Sequence, residues 1–268
     1  MSRVSLVVNA DTRPPKAEVG DMFDGTRSED YLIDGVKNKQ EFFRGHDIET
    51  ILWVDEHLTI SHKTYERLHD LCDRLVISKH SKAYRSIDPF SGFNDVNYLQ
   101  ALSLARGDYI AHFDQDMAAY TSDKSHVDNL IQGTHVHQFI CYPSHACPRC
   151  VSDPSFGSHV WASTRFFLCK KEAINLTELE QAIMEPETLY AKYGHPARIM
   201  NWTEHFLGVM AKGSVYYPIL SNNYLIFPWH KYADGTLAKL HNQPFHEIAP
   251  RLIEAGAHSY HGVDATKL

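Results

Sequence analysis

The stretch Ala105-Arg106-Gly107-Asp108-Tyr109-Ile110-Ala111-His112-Phe113-Asp114-Gln115-Asp116 decides how the chain is read. Gly107 stops a helical pattern over residues 95–106 that carries Val96, Leu99, Leu102 and Leu104. Tyr109–Phe113 then has strand length and passes directly into Asp114. A buried strand ending in Asp-x-Asp puts Asp114 and Asp116 on one turn, where both can offer oxygen ligands to a hard divalent cation. Such an ion bridges the phosphates of a nucleotide and neutralises charge on a departing diphosphate. Plain exposed turns produce the same triplet, so its setting matters.

Upstream, strand and helix patterns alternate. Val4–Asn9 is a β-branched apolar run ending in the polar turn Asn9-Ala10-Asp11-Thr12-Arg13-Pro14-Pro15. Residues 29–44 read as a helix with Leu32, Val36 and Phe43 at helical spacing, Ser28 as N-cap and Gly45 as its end. Thr50–Val54 is a second strand, residues 61–71 a second helix, and Leu75–Ser78 a third strand. Strands joined by helical crossovers predict an α/β fold, a mostly parallel, Rossmann-like sheet flanked by helices. Ligands of such sheets sit beyond the carboxyl ends of the strands. Asp11, Asp55 and the pair Asp114 and Asp116 all fall at those ends, so three acidic sites scattered in sequence converge on one edge.

The second half is less regular. Strands are expected near Phe139–Tyr142, over Arg165–Cys169 and over Val215–Leu220. Thr177 with Glu180 reads as a capping box opening a helix toward Met184. Further helices are expected from Thr203-Glu204 to about Lys212 and over about 246–255. No repeat or linker is visible. One domain is expected, with about residues 1–116 as a nucleotide-binding half and about 117–268 as an acceptor-side half with a C-terminal helix.

With 268 residues, 43% apolar and 22% charged, the chain has material for a full core. No run approaches the ~18 consecutive apolar residues of a membrane span. The early β-like run, without a basic-then-apolar leader, argues against a secretory signal, and five cysteines, an odd number, favour a reducing compartment. The expected location is cytoplasmic, or peripheral to a membrane. A net charge of −7 disfavours a nucleic-acid binder. A local basic patch is still available between Arg74 and Arg85, where Arg85 can meet a phosphate.

Together these segments resemble the GT-A fold, nucleotide-sugar-dependent glycosyltransferases of the large inverting family 2, typified by bacterial polysaccharide synthases. The resemblance spans roughly residues 3 to 230 and rests on Ser5–Arg13, the second strand ending in Asp55, the motif from Ala105 to Asp116, and Trp202-Thr203-Glu204-His205. It implies a nucleotide-sugar donor held by Asn9, Asp11, Arg13, Asp55, Arg85 and Asp114, with Mn²⁺ or Mg²⁺ at Asp114 and Asp116. Similar enzymes can close the metal site with a late histidine, here His230 after Pro228-Trp229. Glu204 is then the carboxylate base that takes the acceptor hydroxyl's proton in an inverting transfer. An acid in the first helical turn also simply complements the helix dipole, and Asp153 is the reserve base. The family's Asn on the helix before Ala105 is replaced by Leu99.

An acceptor-only Asp55 suits the ring N–H of uracil, which points to UDP. The implied acceptor is a saccharide or lipid-linked glycan, with a DNA acceptor disfavoured by the acidic balance. Cys147-Pro148-Arg149-Cys150 with Cys141 and His145 has zinc-like spacing on one side only, so structural Zn²⁺ and unliganded thiols are both open. Two other classes stay in view. A nucleotidyltransferase would release pyrophosphate from a nucleoside triphosphate, and a zinc-stabilised interaction module would turn nothing over.

Overall fold

β1 (Val4–Ala10), an interior strand of the main sheet, is buried along its whole length. A strand covered on both faces reads as a nearly continuous apolar run. The computed structural model describes residues 2–10, 30–55, 60–78, 99–114, 117–141, 162, 166–185, 207–208, 210–211, 215–216, 224–228, 250–251 and 254. Their elements follow in chain order. After β1 come α1 (Asp30–Phe42), β2 (Ile48–Asp55), α2 (His62–Leu71) and β3 (Arg74–Ser78). Then come β4 (Tyr109–Asp114), β5 (Met117–Thr121), α3 (Ser125–Gly133), β6 (Phe139–Cys141) and β7 (Phe166–Lys170). The remainder are α4 (Leu176–Met184), β8 (Val215–Tyr216) and β9 (Tyr224–Pro228).

Seven strands form one sheet in the order β3-β2-β1-β4-β7-β6-β8. The first four run parallel, as the alternation of strand and helix patterns predicts. β7 lies antiparallel to β4, and β6 antiparallel to β7. The short β8 pairs parallel with β6. The expected α/β sheet is therefore present, parallel in its first half and mixed in its second. A separate two-stranded sheet pairs β5 with β9.

Side chains alternate between two cores, as the period of two requires. Val4, Leu6, Val8 and Phe113 enter one with Ile33, Val36 and Phe43 from the α1 side. Val7, Ile51, Trp53, Ile110 and Phe167 enter the other, under Ala101, Leu102 and Leu207. Phe113 packs edge-on to Phe43 at 6.4 Å and lies 4.7 Å from the Phe166 ring, so β4 is tightly keyed to its neighbours.

Several boundaries depart from expectation. Asp114 is the last residue of β4 rather than the first of a turn. Neither β5 nor α3 was expected, because Met117-Ala118-Ala119-Tyr120-Thr121 is too short and too mixed to show a period. The Thr177–Glu180 capping box is corrected: the cap of α4 is Asn175, whose side chain accepts from the Glu178 N–H at 3.1 Å. Two cap-competent residues lie within one turn, and the turn geometry selects the earlier.

Candidate functional site

The site is set from the opposite end of the strands. At the amino end, the Arg106-Gly107 peptide lies against β1 so closely that a Cβ on Gly107 would sit 2.6 Å from Arg3 O and 2.7 Å from Ser5 N. Both contacts are backbone, which cannot yield cheaply, so the position requires glycine. Beneath it the Glu49 carboxylate, 2% exposed, accepts from Ser5 Oγ, from the Arg106 N–H, and from the Gly107 N–H at 3.0 Å. Burial raises the pKa of Glu49, but the bonds from Ser5, Arg106 and Gly107, with Arg3 nearby, outweigh it and hold it below the ordinary range. Asp108 completes the corner: its N–H donates to Arg3 O at 2.8 Å and its carboxylate accepts from Arg3 N–H at 3.0 Å. The Arg106-Gly107-Asp108 part of the motif is thus a register lock joining β1, β2 and β4.

That register decides what emerges together at the carboxyl end. Asn9 pairs with Trp53 on one side and Asp114 on the other. Asp55 ends β2 two residues beyond Trp53, opposite Ser78. Asn9, Asp55 and Asp114 thus share one edge; of the four acidic residues expected there, Asp55 and Asp114 are described. Asp114 is half-buried there. Asn9 is 5% exposed, and its Oδ1 has no hydrogen-bond partner among the described residues; neither has Nε1 of the buried Trp53 beside it. A buried polar atom left unpaired costs about 1–3 kcal/mol, so an acceptor and a donor open side by side need an explanation. Trp53 was not singled out in the sequence, where it reads as one more apolar residue of a buried strand.

Two residues, Gln115 and Asp116, separate β4 from β5. β5 turns away from the main sheet and pairs antiparallel with β9, Met117 opposite Pro228 and Thr121 opposite Tyr224. The β5–β9 ribbon therefore brings the chain just before Trp229-His230 beside the chain just after Asp116. The Asn38 carboxamide grips β5 as well, accepting from the Ala119 N–H and donating to the Ala119 C=O, each at 2.8 Å.

Asp11, Arg13, Arg85, Asp116, His145, Cys147, Cys150, Asp153, Glu204 and His230 lie outside the described residues. Among the described residues no group of three or more His, Cys, Asp or Glu is placed to hold a metal ion. Of the zinc-like set only Cys141 is described, and it is fully buried in the second core. Cys169 is fully buried too, and burial pushes its pKa up, away from the thiolate a metal needs. A cavity of about 680 Å³ opens at the other end of β4, lined by Arg106, Tyr109, His135 and Lys171 among others. It is remote from Asp114. No helix among the described residues is long and apolar enough to cross a membrane.

No family model matches the chain, and no curated protein matches it in sequence. Solved structures do match in shape. The galactosyltransferase LgtC, in complex with donor and acceptor sugar analogs, is 11% identical with a TM-score of 0.46, over 83% of this chain and 74% of that one. TarS of S. aureus is 9% identical at a TM-score of 0.44, over 84% of this chain and 60% of that one. The mannosyltransferase PcManGT from Pyrobaculum calidifontis, in complex with GDP-Man and Mn²⁺, is 13% identical at 0.40, over 81% of this chain and 55% of that one. The likeness is to glycosyltransferases. The chain spans between half and two thirds of the length of the second and third of these.

Proposed function

We propose that the chain is a glycosyltransferase that moves a sugar from a nucleoside diphosphate donor, UDP being the one favoured, to an acceptor hydroxyl with inversion and with a divalent cation. The observation that carries this is the ladder pairing Met117 with Pro228. It sets the residue after Asp116 opposite the residue before Trp229, and this supports a common site for two carboxylates and an imidazole that are far apart in sequence. Carboxylate oxygens suit Mn²⁺ or Mg²⁺, and an added imidazole favours Mn²⁺. Asp114, Asp116 and His230 would hold the ion, which when bound offsets the charge of the diphosphate.

The chain's own groups have separable roles in this reading. Asn9, Asp11, Arg13, Asp55 and Arg85 bind and orient the donor, and Asp55 accepts from the ring N–H of the base. The open Oδ1 of Asn9 supports a ligand at this edge, because a bound nucleoside supplies the missing donor. Glu204 accepts the proton of the acceptor hydroxyl as that oxygen attacks the anomeric carbon. The acceptor is a saccharide or lipid-linked glycan.

The test is a thermal-shift screen of nucleoside diphosphates and their sugars with and without Mn²⁺, since a ligand of the folded state alone raises its stability. Metal-dependent stabilisation by UDP or a UDP-sugar is expected, and Asp114→Asn or Asp116→Asn should abolish it while leaving the unliganded protein folded. Glu204→Gln should keep donor binding and lose kcat by ~10²–10⁴-fold. Pyrophosphate release from a nucleoside triphosphate, or a product that retains the donor's anomeric configuration, would overturn the reading.

A further inference from the structure

We infer that Asn38 is a positioning residue for the connection from Asp114 to Met117, which carries Asp116, acting through the backbone of Ala119; the inference rests on the metal-site reading above. The two ends of that connection are held very differently. Asp114 closes a strand locked in the main sheet between β1 and β7, whereas Met117 opens a strand of a separate two-stranded sheet. A two-stranded ribbon is marginal by itself and takes its position from what it leans on.

Helix α1 supplies that support on both sides of the connection. Asn38 makes paired 2.8 Å hydrogen bonds with the N–H and C=O of Ala119, so its planar amide meets β5 as a neighbouring strand would. The adjacent Lys39 is fully buried, with Nζ 5.8 Å from the centre of the Phe113 ring on β4, one residue before Asp114. Consecutive residues of one helix thus contact the strand that ends at Asp114 and the strand that begins at Met117. Slipping β5 by one residue would turn its N–H and C=O groups away from Asn38, so the paired bonds fix its register. Two carboxylates that share one cation must be held to within ~0.5 Å, and a register fixed in this way supplies such control.

The experiment compares the full chain with N38A and N38D, titrating Mn²⁺ alone by calorimetry and following amide hydrogen exchange over residues 114–119. N38A should bind Mn²⁺ about 10–100-fold more weakly, the range for groups that hold metal ligands in place. Exchange at Ala119 and over residues 114–119 should speed up, while metal-free nucleoside diphosphate binding stays unchanged. N38D keeps the bond from the Ala119 N–H but sets a carboxylate oxygen against the Ala119 C=O, so it too should weaken Mn²⁺ binding. It carries the same test should N38A fail to fold. Wild-type protein that binds Mn²⁺ with N38A binding it equally would overturn the role of Asn38 alone. Wild-type protein that binds no Mn²⁺ would overturn the metal reading itself, whatever the exchange rates show.

Discussion

Met117 and Pro228 face each other across the β5–β9 ribbon, the first one residue after Asp116 and the second two residues before His230. In an antiparallel ladder each step back along one strand meets a step forward along the other. The strand that follows the Asp-x-Asp motif and the strand that precedes Trp229-His230 are thereby neighbours at Met117 and Pro228. Proline suits this place, because it has no N–H to give and stands where the ladder stops.

For His230→Ala, Mn²⁺ affinity should fall by at least about tenfold, because even groups that only support metal ligands are worth that much. The preference for Mn²⁺ over Mg²⁺ should shrink with it, since the imidazole nitrogen favours the softer ion. Calorimetric titration with each cation decides the matter. Affinity and selectivity that survive the substitution would remove His230 from the site.

Gly107→Ala should destabilise the fold by about 1–3 kcal/mol or more, as a methyl group is forced against the backbone of Arg3 and Ser5. The loss should appear as a lower Tm. A variant as stable as the wild type would show that β1 and β4 can separate at this corner without penalty.

Glu49 gives the fold an acid-sensitive joint. Its folded-state pKa lies below the ordinary carboxylate value, so its contribution is present above the unfolded value of ~4.3 and is lost as pH falls through the folded one. Glu49→Gln should be less stable at pH 7 by about 1–3 kcal/mol, the cost of weakened bonds from Ser5 and the Arg106 and Gly107 amides. Below pH 4 the gap between variant and wild type should narrow. Parallel stability curves down to pH 3 would contradict it.

Asp55→Ala addresses base selection at the end of β2. Wild-type protein should bind UDP or TDP more tightly than CDP, because cytosine lacks the ring N–H that a carboxylate accepts. The variant should lose most of that difference in titration calorimetry. A wild-type preference for GDP or CDP would rule out this use of Asp55.

Much of the first half was legible in the sequence. Val4–Asn9, Thr50–Val54 and Tyr109–Phe113 are apolar runs bounded by polar turns, and buried parallel strands can hardly look otherwise. The rule that ligands gather at carboxyl ends points Asp11, Asp55, Asp114 and Asp116 to one edge; of these Asp55 and Asp114 are described, at strand ends whose registers bring Asn9 there as well. Gly107 was legible only in part. As a helix stop it is a local signal, while its close approach to Arg3 and Ser5 joins residues about a hundred positions apart.

The sequence by itself determined the layered α/β plan and the acidic motif at a strand end, because periodicity and turn chemistry are local properties of the chain. Only the tertiary structure decided that β5 leaves the main sheet to pair with β9, that Asn175 rather than Thr177 caps α4, and that Asn38 holds Ala119 across 81 residues of separation. Met117–Thr121 has no period of its own to show, and its place depends on backbone partners supplied by α1 and β9. An asparagine in a helix and an alanine in a short strand carry no mark of each other until folding sets an amide opposite an open peptide group.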